Sequence, residues 1–144
     1  MSGFLMDWFN WFEEGISSLD QGSKEKFFSK CSANCVKRGV AQMYKSHYLE
    51  SNSNLDQFFM SLSERGYAQG KILSSGTEYE MSYSHCSCEL HKLGYVNSDY
   101  ICECSRQSIM NVMSFIKPES EFDVEILSTI LGGDKECRFR IRVK

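Results

Sequence analysis

Two Cys-x-Cys pairs, Cys86/Cys88 and Cys102/Cys104, and a further thiol at Cys137 concentrate the chemistry-bearing residues in the C-terminal half of the chain. In extended backbone, residues two apart project to the same side, so Cys86 and Cys88 are spaced to converge on one site. Cys102-Glu103-Cys104-Ser105 stands near the expected start of a helix, where free N–H groups and the helix dipole favour a thiolate. Thiolate is the form that binds a soft metal or attacks an electrophile. Three uses suit such residues. They can pack as small apolar side chains. They can supply donors to zinc or a similar soft ion, which needs about four N/S ligands, although the usual Cys-x-x-Cys spacing is absent. Or one of them, Cys104 followed by Ser105, can act as a nucleophile or redox switch.

The remaining candidates are weaker. Cys31 and Cys35 have the spacing of a helical metal half-site, but with Phe27 and Phe28 beside them they read as core. His85 adjoins Cys86 and shares a strand face with Tyr83, which suits a base, a ligand or a hydrogen-bonded structural histidine. His47 reads as part of a helix face and His91 as part of a connection. There is no Ser-His-Asp order, phosphate-cradling glycine loop or dinucleotide fingerprint.

The elements that must position these residues follow from periodicity. Phe4, Leu5, Trp8, Phe9, Phe12, Ile16 and Leu19 recur at helical spacing and predict an amphipathic helix packed into the core. Gly22-Ser23 restarts the chain, with Ser23 as the expected N-cap of a second helix carrying Phe27, Phe28, Cys31 and Cys35. Gly39 marks a break before Val40, Met43, Tyr44, His47 and Tyr48 continue a helical pattern. Asn54, with Gln57 three residues on, predicts the start of a third helix that Gly66 ends. After Gly70 the period changes to two. Lys71-Ile72-Leu73, a Ser74-Ser75-Gly76 turn and Glu78 to His85 read as a hairpin, and if the second strand continues it reaches Cys86 and Cys88.

A helix is expected over about 99–116, stopped by Pro118, with Ile109, Val112, Met113 and Ile116 inward. In the last hairpin Phe122, Val124, Ile126 and Ile130 alternate with polar residues, as do Cys137, Phe139, Ile141 and Val143. A turn at 132–135 pairs Asp123 with Lys144, Glu125 with Arg142, Ile126 with Ile141 and Ile130 with Cys137. Arg138, Arg140 and Arg142 then form a salt-paired solvated face, and Cys137 points inward. The predicted fold is α+β, with N-terminal helices on a roughly four-stranded antiparallel sheet in the order ααα-ββ-α-ββ.

The 144 residues suit a single domain over 1–144, with a helical part at 1–66 and a sheet-and-helix part at 68–144. A net charge of −3 provides no bulk attraction to nucleic acid or an anionic membrane. The N-terminus has no basic n-region or sustained apolar h-region, and no apolar run is long enough to span a bilayer. The expectation is a cytoplasmic protein whose seven cysteines stay reduced.

A cysteine-rich strand end, Cys102-Glu103-Cys104-Ser105, a helix, Val124-Glu125 and the ending Gly132-Gly133-Asp134-Lys135-Glu136-Cys137-Arg138-Phe139-Arg140-Ile141 follow one another in this chain. That order resembles the 4-vinyl-reductase-type small-molecule-binding domains and the related L-2-amino-thiazoline-4-carboxylic acid hydrolase-like proteins, most of all a cysteine-rich bacterial branch. The resemblance covers about residues 68–144 and extends less specifically to Asp7–Cys35. It implies helices over an antiparallel sheet with a buried pocket lined by Cys88 (or Cys86), Cys104 (or Cys102) and Cys137. In phenol-sensing members a zinc lies nearby, and the helix-start and last-strand cysteines match ligand positions. The Glu and Cys those members use on the penultimate strand correspond to Ile126 and Thr129, so zinc would have to recruit Cys86 or Cys88.

The expected function is a sensor-like small-molecule-binding domain, with Tyr83, His85, Cys88, Cys104 and Cys137 lining the site. A subset of Cys86, Cys88, Cys102, Cys104 and Cys137 would hold any zinc. One alternative is a hydrolase that opens a sulfur-containing cyclic amidine with the Cys104 thiolate or a metal-bound water. Another is a structural or partner-binding protein with a buried-thiol core, which an exposed aromatic helix at 4–19 would favour. Any output of a sensor of this size must pass through a partner or an oligomer, a homodimer being one route.

Overall fold

The computed structural model describes residues 3–66, 68–85 and 88–144. Four helices come first: α1 (Gly3–Ser17), α2 (Gln21–Val36), α3 (Val40–Glu50) and α4 (Leu55–Met60), the last followed by a 3-10 turn at Leu62–Arg65. The hairpin β1 (Gln69–Ser74) and β2 (Glu78–Tyr83) leads to a short α5 (Glu89–Lys92) and a 3-10 turn at Asp99–Ile101. Helix α6 (Cys102–Ile116) and the hairpin β3 (Phe122–Ser128) and β4 (Cys137–Val143) complete the fold. All strand pairings are antiparallel and the spatial order is β1-β2-β4-β3. The α+β class and the four-stranded antiparallel sheet are as the periodicity predicts.

The caps show why the helices start where they do. Asp20, not Ser23, caps α2: its carboxylate accepts the Ser23 N–H at 2.7 Å, which places the start two residues before the expected cap. That bond is the main reason the Asp20 carboxyl sits below the usual carboxylate range. Gly39 separates α2 from α3 at φ 119°, a conformation an L side chain rarely adopts. Asn54 accepts from Gln57 N–H at 3.0 Å, as its spacing predicts.

One face of the sheet carries Tyr79, Met81, Cys137, Phe139, Ile141, Phe122 and Val124 into the main core. There they meet Tyr44, Tyr48, Phe58 and Phe59 of α3 and α4, and Ile109, Val112, Met113 and Ile116 of α6. Phe59 stacks on Tyr79 at 4.3 Å between ring centres. Strand β1 runs so close to α4 that a Cβ at Gly70 would lie 1.9 Å from the Phe59 carbonyl oxygen. The opposite face is ionic: Arg138 pairs with Glu80 at 2.7 Å, Arg142 with Glu78 at 3.2 Å and Arg140 with Glu125 at 3.6 Å. The arginine stripe is thus a salt-paired sheet face, as expected.

Two expectations need correction. The β3/β4 register pairs Asp123 with Arg142, Glu125 with Arg140 and Ile126 with Phe139, two residues from the expected pairing. The cause is the turn. Thr129 accepts from Asp134 N–H at 3.0 Å and from Gly132 N–H at 3.2 Å, while the Asp134 carboxylate accepts from Thr129 N–H at 3.1 Å. This self-bonded loop ends β3 at Ser128, and because the shift is even every side chain keeps its face. The second correction concerns α1, expected in the core. Of its fifteen residues only Ile16 is buried, and Phe4, Trp8 and Trp11 are 66%, 45% and 56% exposed.

Candidate functional site

The predicted site residues fall into two apolar clusters. On the sheet side, Cys137 is buried in the main core and its sulfur accepts the Ile130 N–H at 3.4 Å. Tyr83 packs at the edge of that core, with its ring against Phe139 and its hydroxyl 3.2 Å from the Met81 sulfur. Burial, then Tyr44 and Cys137, hold the Tyr83 hydroxyl well above its ordinary pKa.

A second cluster lies at the start of α6, where Cys102 is buried with Ile16, Phe28, Val96 and Ile101. Cys88 and Cys104 pack against it, together with Phe9, Phe12 and Tyr100. Ile126 of β3 touches both clusters. Cys88, Cys102 and Cys104 therefore belong to one apolar cluster, while Cys137 and Tyr83 belong to the neighbouring core. His85 is exposed beyond the end of β2, its ring 3.4 Å from the Ser84 hydroxyl. The strand does not continue as expected: β2 ends at Tyr83, and Cys88 takes the N-cap position of α5. Cys86 lies outside the described residues.

Local hydrogen bonds hold the second cluster in place. His91 Nδ1 donates to the Val96 carbonyl at 3.0 Å, which folds the 91–96 segment back so that Val96 is fully buried. Glu13 of α1 accepts the Asn97 N–H at 2.9 Å and ties α1 to the same segment. Between these anchors the Tyr100 ring packs edge-on to Phe12 at 6.3 Å and beside Phe28 at 6.1 Å. Its hydroxyl is buried with no hydrogen-bond partner among the described residues. Burial first, then the charge of Glu13 and of a Cys88 thiolate, raises its pKa well above the ordinary tyrosine value. The result is a neutral donor without an acceptor in an apolar, thiol-lined setting.

Cys104 does not behave as its place near a helix start suggests. The preceding 3-10 turn and α6 run together, and Cys102 N–H already bonds back to Asp99 and Tyr100. Burial pushes the Cys104 thiol up to about 12, with nearby Cys88, Cys35, Cys31 and Glu103 adding to the rise. At neutral pH Cys104 keeps its proton, the opposite of what an activated nucleophile needs. The same interactions show that Cys31 and Cys35 of α2 lie on the side of Cys104. Both are exposed, not core as expected, because Phe28, Ser32 and Val36 form the buried stripe of α2. Among the described residues no group of three or more His, Cys, Asp or Glu side chains is arranged to hold a metal ion.

Sequence reasoning passed over three features. Tyr100 was one, since a lone tyrosine has no spacing signal. Another is the Glu103 carboxylate, which is buried and accepts from Arg106 Nε at 2.8 Å, Gln21 at 3.0 Å and Gln107 at 3.1 Å. Arg106 also reaches Glu25 of α2 and the Val124 carbonyl of β3, so this network fastens α2, α6 and the sheet beside the thiols. Its signal was the i, i+3 spacing of Glu103 and Arg106. The third is a polar cleft of about 230 Å³ lined by His47, Glu50, Ser51, Gln57, Ser61, Glu64 and Arg65. Ser61 lies 2.9 Å from His47 Nε2, but its hydroxyl donates to the Gln57 carbonyl at 2.7 Å, so the pair is not a primed nucleophile and base.

No protein-family model matches the chain, and no curated protein matches it. Among solved structures, the trafficking protein particle complex subunit 3 from Naegleria fowleri, covalently bound to palmitic acid, is similar over 98% of this chain and 93% of that chain. The TM-score is 0.47 and the sequence identity 13%, and no functional statement follows from a likeness of that size. None of the described helices is long and apolar enough to cross a membrane.

Proposed function

We propose that this chain is a small-molecule-binding domain whose ligand is an apolar, aromatic-sized compound with one hydrogen-bond acceptor, held beneath α1 at the Cys88–Tyr100–Cys104 cluster. The observation that carries the reading is the buried Tyr100 hydroxyl without a partner. A buried donor left unpaired costs about 1–3 kcal/mol, and such groups call for an explanation. An acceptor on a bound ligand removes that cost. The surroundings select the rest of the ligand: Phe12 and Phe28 offer ring faces, and Cys88 and Cys104 offer soft, neutral contacts. Helix α1 is the cover. It buries only Ile16, is tied by the Glu13–Asn97 bond, and can lift at modest cost. The resemblance of residues 68–144 to 4-vinyl-reductase-type domains supports the same reading, and the raised Cys104 pKa favours binding over thiolate catalysis.

The test compares two ligands of matched shape. Acetophenone carries a carbonyl acceptor and ethylbenzene does not. Thermal unfolding of the full chain should be raised by acetophenone at millimolar concentration and much less by ethylbenzene. Equal stabilisation by both, or by neither, contradicts the proposal.

A further inference from the structure

A second apolar feature is the outer face of α1 and the adjoining part of α2. Phe4, Trp8 and Trp11 stand at i, i+4 and i+7 and form one exposed stripe. Exposed Phe27 of α2 joins it through its contact with Phe12, which stacks on Trp8. A contiguous aromatic patch of this kind on a water-facing helix marks an interaction surface.

The charges around the patch identify what covers it. Every charged side chain of α1 is acidic: Asp7, Glu13 and Glu14. Asp7 and Glu14 lie seven apart along the flank of the stripe beside Trp11. On α2, Lys24 and Lys30 lie three residues either side of Phe27, on its own face. The patch is therefore acidic along one edge and basic along the other. A two-fold axis running along the α1–α2 boundary brings the acidic edge of one copy over the basic edge of the next, and the stripe of each onto Phe27 of the other. An acidic helix without lysine or arginine is the reverse of what an anionic lipid surface attracts.

We propose that the exposed α1–α2 face is a homodimer interface in which α1 of each copy lies over α2 of the other, with Asp7 and Glu14 facing Lys24 and Lys30. The patch connects to Tyr100 through Phe12, but the proposal rests on the exposed side chains and their flanking charges, and dimerisation is read in protein without ligand.

Sedimentation velocity of the full chain, from low micromolar to about 100 µM, tests it. Wild type should show a concentration-dependent monomer–dimer equilibrium. Trp11→Glu, at an exposed position, should weaken dimerisation at least about tenfold while leaving the far-ultraviolet spectrum unchanged. Asp7→Lys/Glu14→Lys and Lys24→Glu/Lys30→Glu should each be monomeric alone. Each swap alone meets like charges on both edges of its own homodimer, whereas a one-to-one mixture of the two pairs opposite charges on both edges and should form a mixed dimer. A chain that carries all four substitutions should dimerise again. Wild type that stays monomeric, a dimer indifferent to Trp11→Glu, or a four-fold swap that remains monomeric overturns the proposal. So does monomeric protein that instead binds phosphatidylcholine vesicles through α1.

Discussion

Replacing Tyr100 by Phe should make the unliganded protein more stable, an unusual sign for removal of a buried polar group. The ring of Tyr100 is packed by Phe12 and Phe28, and phenylalanine keeps those contacts. What disappears is a hydroxyl that is buried and unpaired. Its desolvation costs about 1–3 kcal/mol, from which the small void left by one oxygen must be subtracted, leaving a net gain of about 1 kcal/mol. In a chain of this length that raises the midpoint of thermal unfolding by about 3 °C. Calorimetry at pH 7, with chemical denaturation as a second readout, measures it. Had the hydroxyl a satisfied hydrogen bond, the same substitution would cost about 1 kcal/mol. A loss of stability of that size refutes the reasoning, because Tyr100 would then be an ordinary structural tyrosine.

Arg106→Ala should cost about 3 kcal/mol in urea unfolding, because it leaves the buried Glu103 carboxylate without its cation while removing the ties to Glu25 and Val124. Cys31 and Cys35 should react with iodoacetamide at pH 7.5 at least about a hundredfold faster than Cys104, read by peptide mass spectrometry. Because the Cys104 pKa is raised from 9.0 to about 12, its contribution to stability is complete below pH 9 and is lost as pH climbs towards 12; Cys104→Ala should flatten that alkaline limb. The Asp56 carboxyl is held below its ordinary pKa by Ser75, Tyr79 and Gly76, so its contribution is present above about pH 4 and lost as pH falls through the lower folded value. Asp56→Asn should therefore lower stability at pH 7 and weaken its fall in acid, as followed by circular dichroism.

The sheet was legible because alternation of apolar and charged residues reports directly which face is buried, and Arg138, Arg140 and Arg142 could only find partners on the other. Its register was not, because the Thr129–Asp134 bonds that shorten β3 are made by polar side chains with no periodic signature. Helix α1 shows the limit of amphipathicity. A one-sided helix announces that it has a face to cover, not that its own chain covers it, and here Phe4, Trp8 and Trp11 stay in solvent. Cys31 and Cys35 were misplaced for a related reason: the buried stripe of α2 passes through Phe28, Ser32 and Val36, and the small Ser32 gave it no hydrophobic signal. Cys-x-Cys spacing singled out Cys88, Cys102 and Cys104, which the fold gathers in one apolar cluster. The residue that gives the cluster a chemical demand, Tyr100, is defined by what surrounds its hydroxyl, and that exists only once α1, the 91–97 segment and α6 have met.

The most direct test of a ligand site at Tyr100 is the affinity of acetophenone for wild type and for Tyr100→Phe, measured side by side by isothermal titration calorimetry with ethylbenzene as the control. The account predicts that the substitution weakens acetophenone about tenfold, the worth of one hydrogen bond in a dry site, and leaves ethylbenzene unchanged. Equal acetophenone affinity in the two proteins would contradict it.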